Sequence, residues 1–476
     1  MKAEFKAHPL MIFSFIKPFL FVLVLPLVRA VLQYFLRGEI TDVLGLELVI
    51  FCIITAIAFV RYRAFKLTVY KNKIKIRKGL FFVAFAEISF DKLSSVQSER
   101  NPLDALFGAV TYRVNTEAGT KHRADFRFKL SKRDSERLSA LLYREQNLKK
   151  VKFSAIKIAL MAMTTSSAFT GMIIGVPLIN NAGKLLGVGL NEMLFDELNN
   201  VSSRFETYFP PIVNLISLVF LLAYSFSFIY SFLKYINFKL YLGKNKLRVC
   251  TGFFIKIITD FKKSAVNNVK IEQSPLMLFF RRYSMKASIG GFGTSRKEAQ
   301  IIVPCGSLNQ IQKNFIDYFP FLKPNGNRIT ACKTPAILDR FLFLPGIFFV
   351  FTVVLSIFAT IIFEEFTRFI LFLCIISLIF ILYFAFMCRY EYKYSKLILG
   401  DNICVQSVKG LKPCELYCPK EKIGEIKITR FGLDFLQKTC KVRLTVCSES
   451  ADSIRLRFFD YPKTLKEIYN CFDINV

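Results

Sequence analysis

Positive charge at alternate positions is the most chemically directed feature of this chain. Lys73, Lys75 and Arg77 recur at every second residue, with Lys71 and Lys78 beside them, and Lys244, Lys246 and Arg248 repeat the spacing further along. Alternation by two places side chains on one face of a β-strand. Each set therefore offers a row of ammonium and guanidinium groups, which hold phosphate or carboxylate but neither make nor break covalent bonds by themselves. Catalysis near neutral pH usually draws on a group that titrates there, most often histidine. The two histidines, His8 and His122, have no Cys, Ser or acidic residue at a recognisable spacing. There is no His-Glu-x-x-His, no Walker loop and no Gly-x-Ser-x-Gly elbow, and no Gly-Lys-Ser/Thr follows Gly290-Gly291-Phe292-Gly293. Cys414 and Cys418 lack both a second pair and a nearby histidine, so no metal site is expected there. The expectation is a binding protein without enzymatic activity, cofactor or metal.

The basic rows belong to a stretch that the chain writes three times. FKLTVYKNKIKIRKGLF from Phe65 matches FKLYLGKNKLRVCTGFF from Phe238, and a looser copy, SKLILGDNICVQSVKGL, starts at Ser395. Carried forward without a gap, the first match lays Val96, Glu99, Pro102 and Leu103 on Val269, Glu272, Pro275 and Leu276. Repetition of this kind marks one structural unit used several times. Leu67, Val69, Ile74 and Ile76 alternate with polar residues across Tyr70-Lys71-Asn72-Lys73, which reads as two strands and a turn, Asn72 and Gly243 being tolerant of left-handed backbone. Alternation from Ala124 to Leu130 and from Ile454 to Phe458 supplies later strands. Each copy then closes with an amphipathic helix. The first is capped by Ser131 and Asp134 and faces Leu138, Leu141 and Leu142 inward; the second uses Ile311, Phe315, Ile316 and Phe319; the third uses Leu465, Ile468, Tyr469 and Phe472. Strands closed by one helix suit a pleckstrin-homology-like barrel as well as other small α+β modules.

An apolar share of 53% is high for a chain without membrane segments, and the excess lies in blocks. Spanning a bilayer requires about 20 largely apolar residues. Six stretches approach that, at about 10 to 36, 43 to 60, 155 to 179, 211 to 236, 341 to 363 and 369 to 388, one pair before each repeat. Loops inside the pairs are short or acidic, whereas the cations behind the net charge of +31 lie mostly in the repeats. Lys and Arg concentrate on the cytoplasmic side of membrane proteins, so both termini and all three repeats are expected there, facing an anionic leaflet that accounts for the charge without nucleic acid. The twelve cysteines form no disulfide pattern. Lys17 and Arg29 fall within the first apolar stretch, as either snorkelling or functional cations. Gly171 and Gly175, four apart in the third, would let helices approach closely within the bundle or between copies.

Several of these segments together resemble a known family. Leu67 to Gly79, the run Pro102-Leu103-Asp104-Ala105-Leu106-Phe107-Gly108, Thr116-Glu117-Ala118-Gly119, and His8-Pro9-Leu10 before the first apolar stretch are similar to the YdbT-like bacterial membrane proteins. Arg281 stands where the first copy has Gly108, and Gly432 where it has Pro102. The resemblance implies pleckstrin-homology-like domains alternating with pairs of transmembrane helices, and a first hairpin that holds anionic headgroups. The expected architecture is a multi-pass α-helical membrane protein with six transmembrane helices in three pairs and three cytoplasmic PH-like domains. Its boundaries run 1–60 (helix pair), 61–150 (first domain), 151–236 (helix pair and external loop), 237–320 (second domain), 321–391 (linker and helix pair) and 392–476 (third domain). The expected role is a bacterial inner-membrane scaffold that binds anionic lipid headgroups or membrane-associated proteins, with homo-oligomers left open. A transporter or lipid-handling pore gated by the domains is the alternative.

Overall fold

The computed structural model describes residues 3–16, 43–79, 83–116, 126–142, 148–167, 190–203, 211–290, 299–331, 346–347, 349–358, 367–409, 412–430, 433–447 and 453–472. Four antiparallel sheets are built from them. The first has the order β1 (Ala3–Lys6), β2 (Lys66–Val69), β3 (Lys73–Lys78), β4 (Ala84–Ser89). Next come β5 (Leu93–Arg100), β6 (Ala109–Thr116), β7 (Phe126–Ser131), β8 (Lys149–Lys152), β9 (Lys239–Leu242), β10 (Lys246–Thr251) and β11 (Lys256–Lys262), in one seven-stranded sheet of order β7-β6-β5-β11-β10-β9-β8. A second seven-stranded sheet, β14-β13-β12-β18-β17-β16-β15, contains β12 (Val266–Glu272), β13 (Tyr283–Ile289), β14 (Gln300–Gly306), β15 (Gly326–Thr330), β16 (Lys396–Gly400), β17 (Asn402–Lys409) and β18 (Lys412–Pro419). The last sheet is β19 (Ile423–Thr429), β20 (Thr439–Val446) and β21 (Ser453–Asp460).

Each repeat thus contributes a four-stranded meander, a short 3-10 turn, a three-stranded meander and a closing helix. The alternation seen in the sequence explains the first core. Phe5, Leu67, Val69, Ile74 and Ile76 from the four-stranded sheet are buried together with Val96, Tyr112, Val114, Phe128 and Leu130 from β5–β7. Helix Lys132–Leu142 covers this core with Leu138, and Tyr112 shares a 2.8 Å hydrogen bond with Ser135 of that helix. The Ser131 hydroxyl donates to Asp134 at 3.0 Å and accepts the Asp134 amide at 3.2 Å, so the helix starts where the cap was expected. The third core repeats the plan with Leu397, Ile403, Val405, Val442, Leu456, Phe459 and, from helix Tyr461–Phe472, Ile468. By contacts the chain divides into two compact units, 1–153 with 233–265 and 290–296, and 154–232 with 266–289 and 297–476.

Two expectations are corrected. Six spanning helices in three pairs are not what the structure shows: among the described residues a single helix, Ser217–Tyr235, is long and apolar enough to cross a membrane. The stretch at 155 to 179 opens with a short helix, Ala155–Thr165, that ends at Ser166. Eleven residues rise about 16 Å, against a hydrocarbon core of about 30 Å. Met11 joins the first core, and Ile158, Met161 and Ala162 are buried. Helices Val43–Ala64 and Thr367–Tyr394 do form in the expected places, and Phe51, Ile57, Leu382 and Phe386 on them face outward. The turn geometry is also corrected: Tyr70–Lys73 closes with the Tyr70 amide donating to the Lys73 carbonyl at 2.8 Å. Left-handed backbone sits instead at Gly79 (φ 87°) and Gly252 (φ 100°), at the strand ends.

One strand of each repeat was not foreseen. β1, β8 and β15 precede the apolar stretches and pair with β2, β9 and β16, which follow them.

Candidate functional site

On β3, Ile74 and Ile76 turn into the core while Lys73, Lys75 and Arg77 share the opposite face, as period two requires. Lys71 is exposed in the preceding turn and Lys78 ends the strand. One carboxylate lies among these cations: Glu87 on β4 meets both Lys73 and Lys75 at 2.9 Å. The hydrogen bond from Lys75, then that from Lys73, holds the Glu87 carboxyl down to about 2. Phe85, 61% exposed, lies under Lys75 (5.3 Å) and Arg77 (5.8 Å). This face therefore joins a surplus of cations to an aromatic side chain that water does not favour.

At the end of β3 and β4 lies a cavity of about 280 Å³ lined by Met11, Phe15, Arg61, Phe65, Gly79, Ala84 and Arg127. Arg61 comes from the C-terminal end of helix Val43–Ala64 and Arg127 from β7. Two guanidinium-bearing side chains on apolar walls suit a ligand with an anionic head and an apolar body. Sequence reasoning missed both arginines as a site, because they come from segments distant in the chain, and the alternation of Arg127 with Lys129 marked only a strand.

The same pairing of charge and apolar surface recurs at one end of the first seven-stranded sheet. Lys256 of β11 lies opposite Arg100 of β5, so the β10–β11 turn and the short helix Pro102–Leu106 are brought to one edge. Phe253 and Phe254 in the turn are 55% and 59% exposed, while Leu103, Leu106 and Phe107 around the helix are 70%, 77% and 57% exposed. Helix Pro211–Tyr235 also ends there: the Phe253 amide donates to the Leu233 carbonyl (3.2 Å) and Gly252 to Ile236 (2.8 Å). The short helix is held from beneath. Asp104, 2% exposed, accepts from Lys129 at 2.5 Å and from Thr111 at 3.0 Å. In the second unit, helix Pro275–Phe279 likewise exposes Leu276, Phe279 and Phe280, and Gln273 just before it donates to Pro413 beside the β17–β18 hairpin. Near the third copy's helix Leu433–Leu436, Phe435 is 60% exposed beneath the Arg430 guanidinium, 4.5 Å away.

The second basic row is arranged differently from the first. Lys244 is exposed in its turn, whereas Lys246 and Arg248 are half-buried on β10, and Arg248 Nε donates to Asp260 at 2.6 Å. The Arg248–Asp260 pair occupies the place of Lys75–Glu87, so two separate sheets carry the two rows. Gly171, Gly175, Lys17, Arg29 and His122 lie outside the described residues. His8 packs near the end of β7, where burial lowers its pKa; its Nδ1 accepts from the Leu10 amide (3.2 Å). Cys418 belongs to the third core, and burial pushes its thiol up to about 12.

A family model described as bacterial PH domain matches residues 15–146 and again 193–314. The chain belongs to the bacterial PH domain family. Domains of this kind bind lipids or proteins, a role that the paired cations and exposed apolar side chains of these sheet ends can serve. No curated protein and no solved structure matches the chain.

Proposed function

We propose that this bacterial PH domain protein is a non-enzymatic scaffold at the cytoplasmic face of the bacterial inner membrane, gripping anionic lipid headgroups through its sheet ends and basic strand faces. One observation carries the reading. The described helix that is apolar enough to cross a bilayer ends against the turn that exposes Phe253 and Phe254, next to Arg100 and Lys256. A helix leaving the hydrocarbon there brings these side chains to the headgroup layer. Apolar rings then enter the acyl boundary, and cations meet phosphate, each contributing about 1 kcal/mol near an anionic surface. Arg61 and Arg127, beside the cavity, and Lys73, Lys75 and Arg77, on the strand face, extend the same chemistry to the first domain.

The chain has no tryptophan, so Phe254→Trp provides a silent-background probe. In full-length protein reconstituted into vesicles with anionic lipid, its emission should shift to the blue and be quenched by lipids brominated on the acyl chain. An emission spectrum like that of a hydrated tryptophan, without quenching, would refute the reading.

A further inference from the structure

The four-stranded and three-stranded meanders do not stand alone; they join edge to edge, twice, by one rule. β11 of the second repeat pairs with β5 of the first, and β18 of the third pairs with β12 of the second. The registers coincide. Val96 is the fourth residue after the 3-10 turn Phe90–Lys92, Val269 the fourth after Lys263–Ala265, and they pair with Asp260 and Tyr417, each three residues before the next such turn.

The rule leaves one donor and one acceptor edge over. Among the described residues β4 pairs only with β3, and β19 only with β20. Positions that pairing covers elsewhere are open on these two strands: Asp260 and Tyr417 are 7% and 8% exposed while Glu87, their counterpart, is exposed; Ser95 and Asn268 are buried while Glu425 is exposed. An open edge with its amides and carbonyls unpaired is a template for another strand. The charges on these edges are no obstacle. Lys427 of β19 stands where paired β12 carries Lys270, and Glu87 stands where paired β11 carries Asp260.

We propose that β4 of one copy pairs antiparallel with β19 of a second copy, continuing between molecules the joint that the chain makes twice within itself. The register follows from the two internal examples: Glu87 opposite Ile426, Ala86 opposite Lys427 and Phe85 opposite Ile428. The last of these sets Phe85 against an apolar neighbour. The contact uses different surfaces on the two copies, so it builds a ring if the rotation closes and a filament if it does not.

The test uses two full-length copies with different tags, expressed together, one Ala86→Cys and the other Lys427→Cys, oxidised in native membranes. The expected result is a crosslinked species carrying both tags, at least several-fold above a Lys71→Cys and Lys427→Cys control. Crosslinking at the level of that control, or crosslinking of Lys427→Cys solely to another polypeptide, would overturn the proposal. As cysteine could disturb β4 itself, amide exchange of the unsubstituted protein gives a second reading. Exchange in 84–89 and 423–429 should slow as protein concentration rises, and concentration-independent exchange would overturn the proposal too.

Discussion

The buried carboxylate beneath the first short helix allows a quantitative prediction. Asp104 is 2% exposed, Lys129 lies 2.5 Å away with 17% of its side chain exposed, and Thr111, 1% exposed, donates to the other carboxylate oxygen at 3.0 Å. Asp104→Ala leaves an ammonium and a hydroxyl without their acceptor in a place that water scarcely reaches. Breaking such a pair costs about 3–5 kcal/mol. Lys129 keeps some solvent, which argues for the lower end, about 3 kcal/mol. At about 1.4 kcal/mol per decade this is roughly a hundredfold rise in local opening. Hydrogen exchange of the full-length protein, read on peptides covering 102–116 and 126–131, measures it directly. Lys129→Met alone should cost a comparable amount, and Asp104→Leu with Lys129→Met should recover most of the protection, because apolar residues fill the site without a stranded charge. An effect of Asp104→Ala below tenfold, or a double variant as exchangeable as the single one, would refute the reasoning. Because Asp104 also fixes the helix that exposes Leu103 and Leu106, the loss would extend to the surface proposed to meet lipid.

Glu87 supplies a pH signature. Its carboxyl is held at about 2 by Lys75 and Lys73, below the ordinary 4.5, so its contribution to stability is present above about pH 4.5 and lost as pH falls toward 2. Glu87→Gln should flatten the acid arm of the unfolding curve in that window and strengthen binding to anionic vesicles at neutral pH; an unchanged acid arm and unchanged binding would contradict this. Two glycines should part company in thermal unfolding. A Cβ at Gly252 (φ +100°) would lie 1.8 Å from the Ile255 carbonyl oxygen, so Gly252→Ala must displace the backbone, whereas Gly108→Ala (φ +67°) meets nothing within 4 Å and should cost only about 1–2 kcal/mol. Equal losses would show that the close approach at Gly252 does not matter.

What the sequence made legible was local. Leu67, Val69, Ile74 and Ile76 announced their strands because one face is buried, and Ser131 with Asp134 announced a helix because a cap satisfies amides within four residues. The strands β1, β8 and β15 gave no such signal, being four or five residues long and separated from their partners by the apolar stretches. Hydropathy overstated the spans for a related reason. A window over 155 to 179 counts apolar residues but not the use of Ile158, Met161 and Ala162 as buried packing residues. At the candidate site, the basic row on β3 could be read from spacing, whereas Arg61 and Arg127 meet through the packing of a helix and a late strand of the first repeat, and the edge that gathers Phe253 with Leu103 depends on register between strands of different repeats.

That register also constrains what the apolar inserts can do. Lys6 is the pairing partner of Lys66, Lys152 of Lys239 and Thr330 of Lys396. Partners across an antiparallel pair lie about 5 Å apart, so each insert leaves its sheet and rejoins it at one spot. Whatever the path of an insert, its two ends are fixed in one ladder. The sheet end bearing Phe253, Arg100 and Lys256 lies where the second insert leaves and rejoins its sheet, because Lys239 pairs with Cys250 and Cys250 with Ile258, two residues from Lys256.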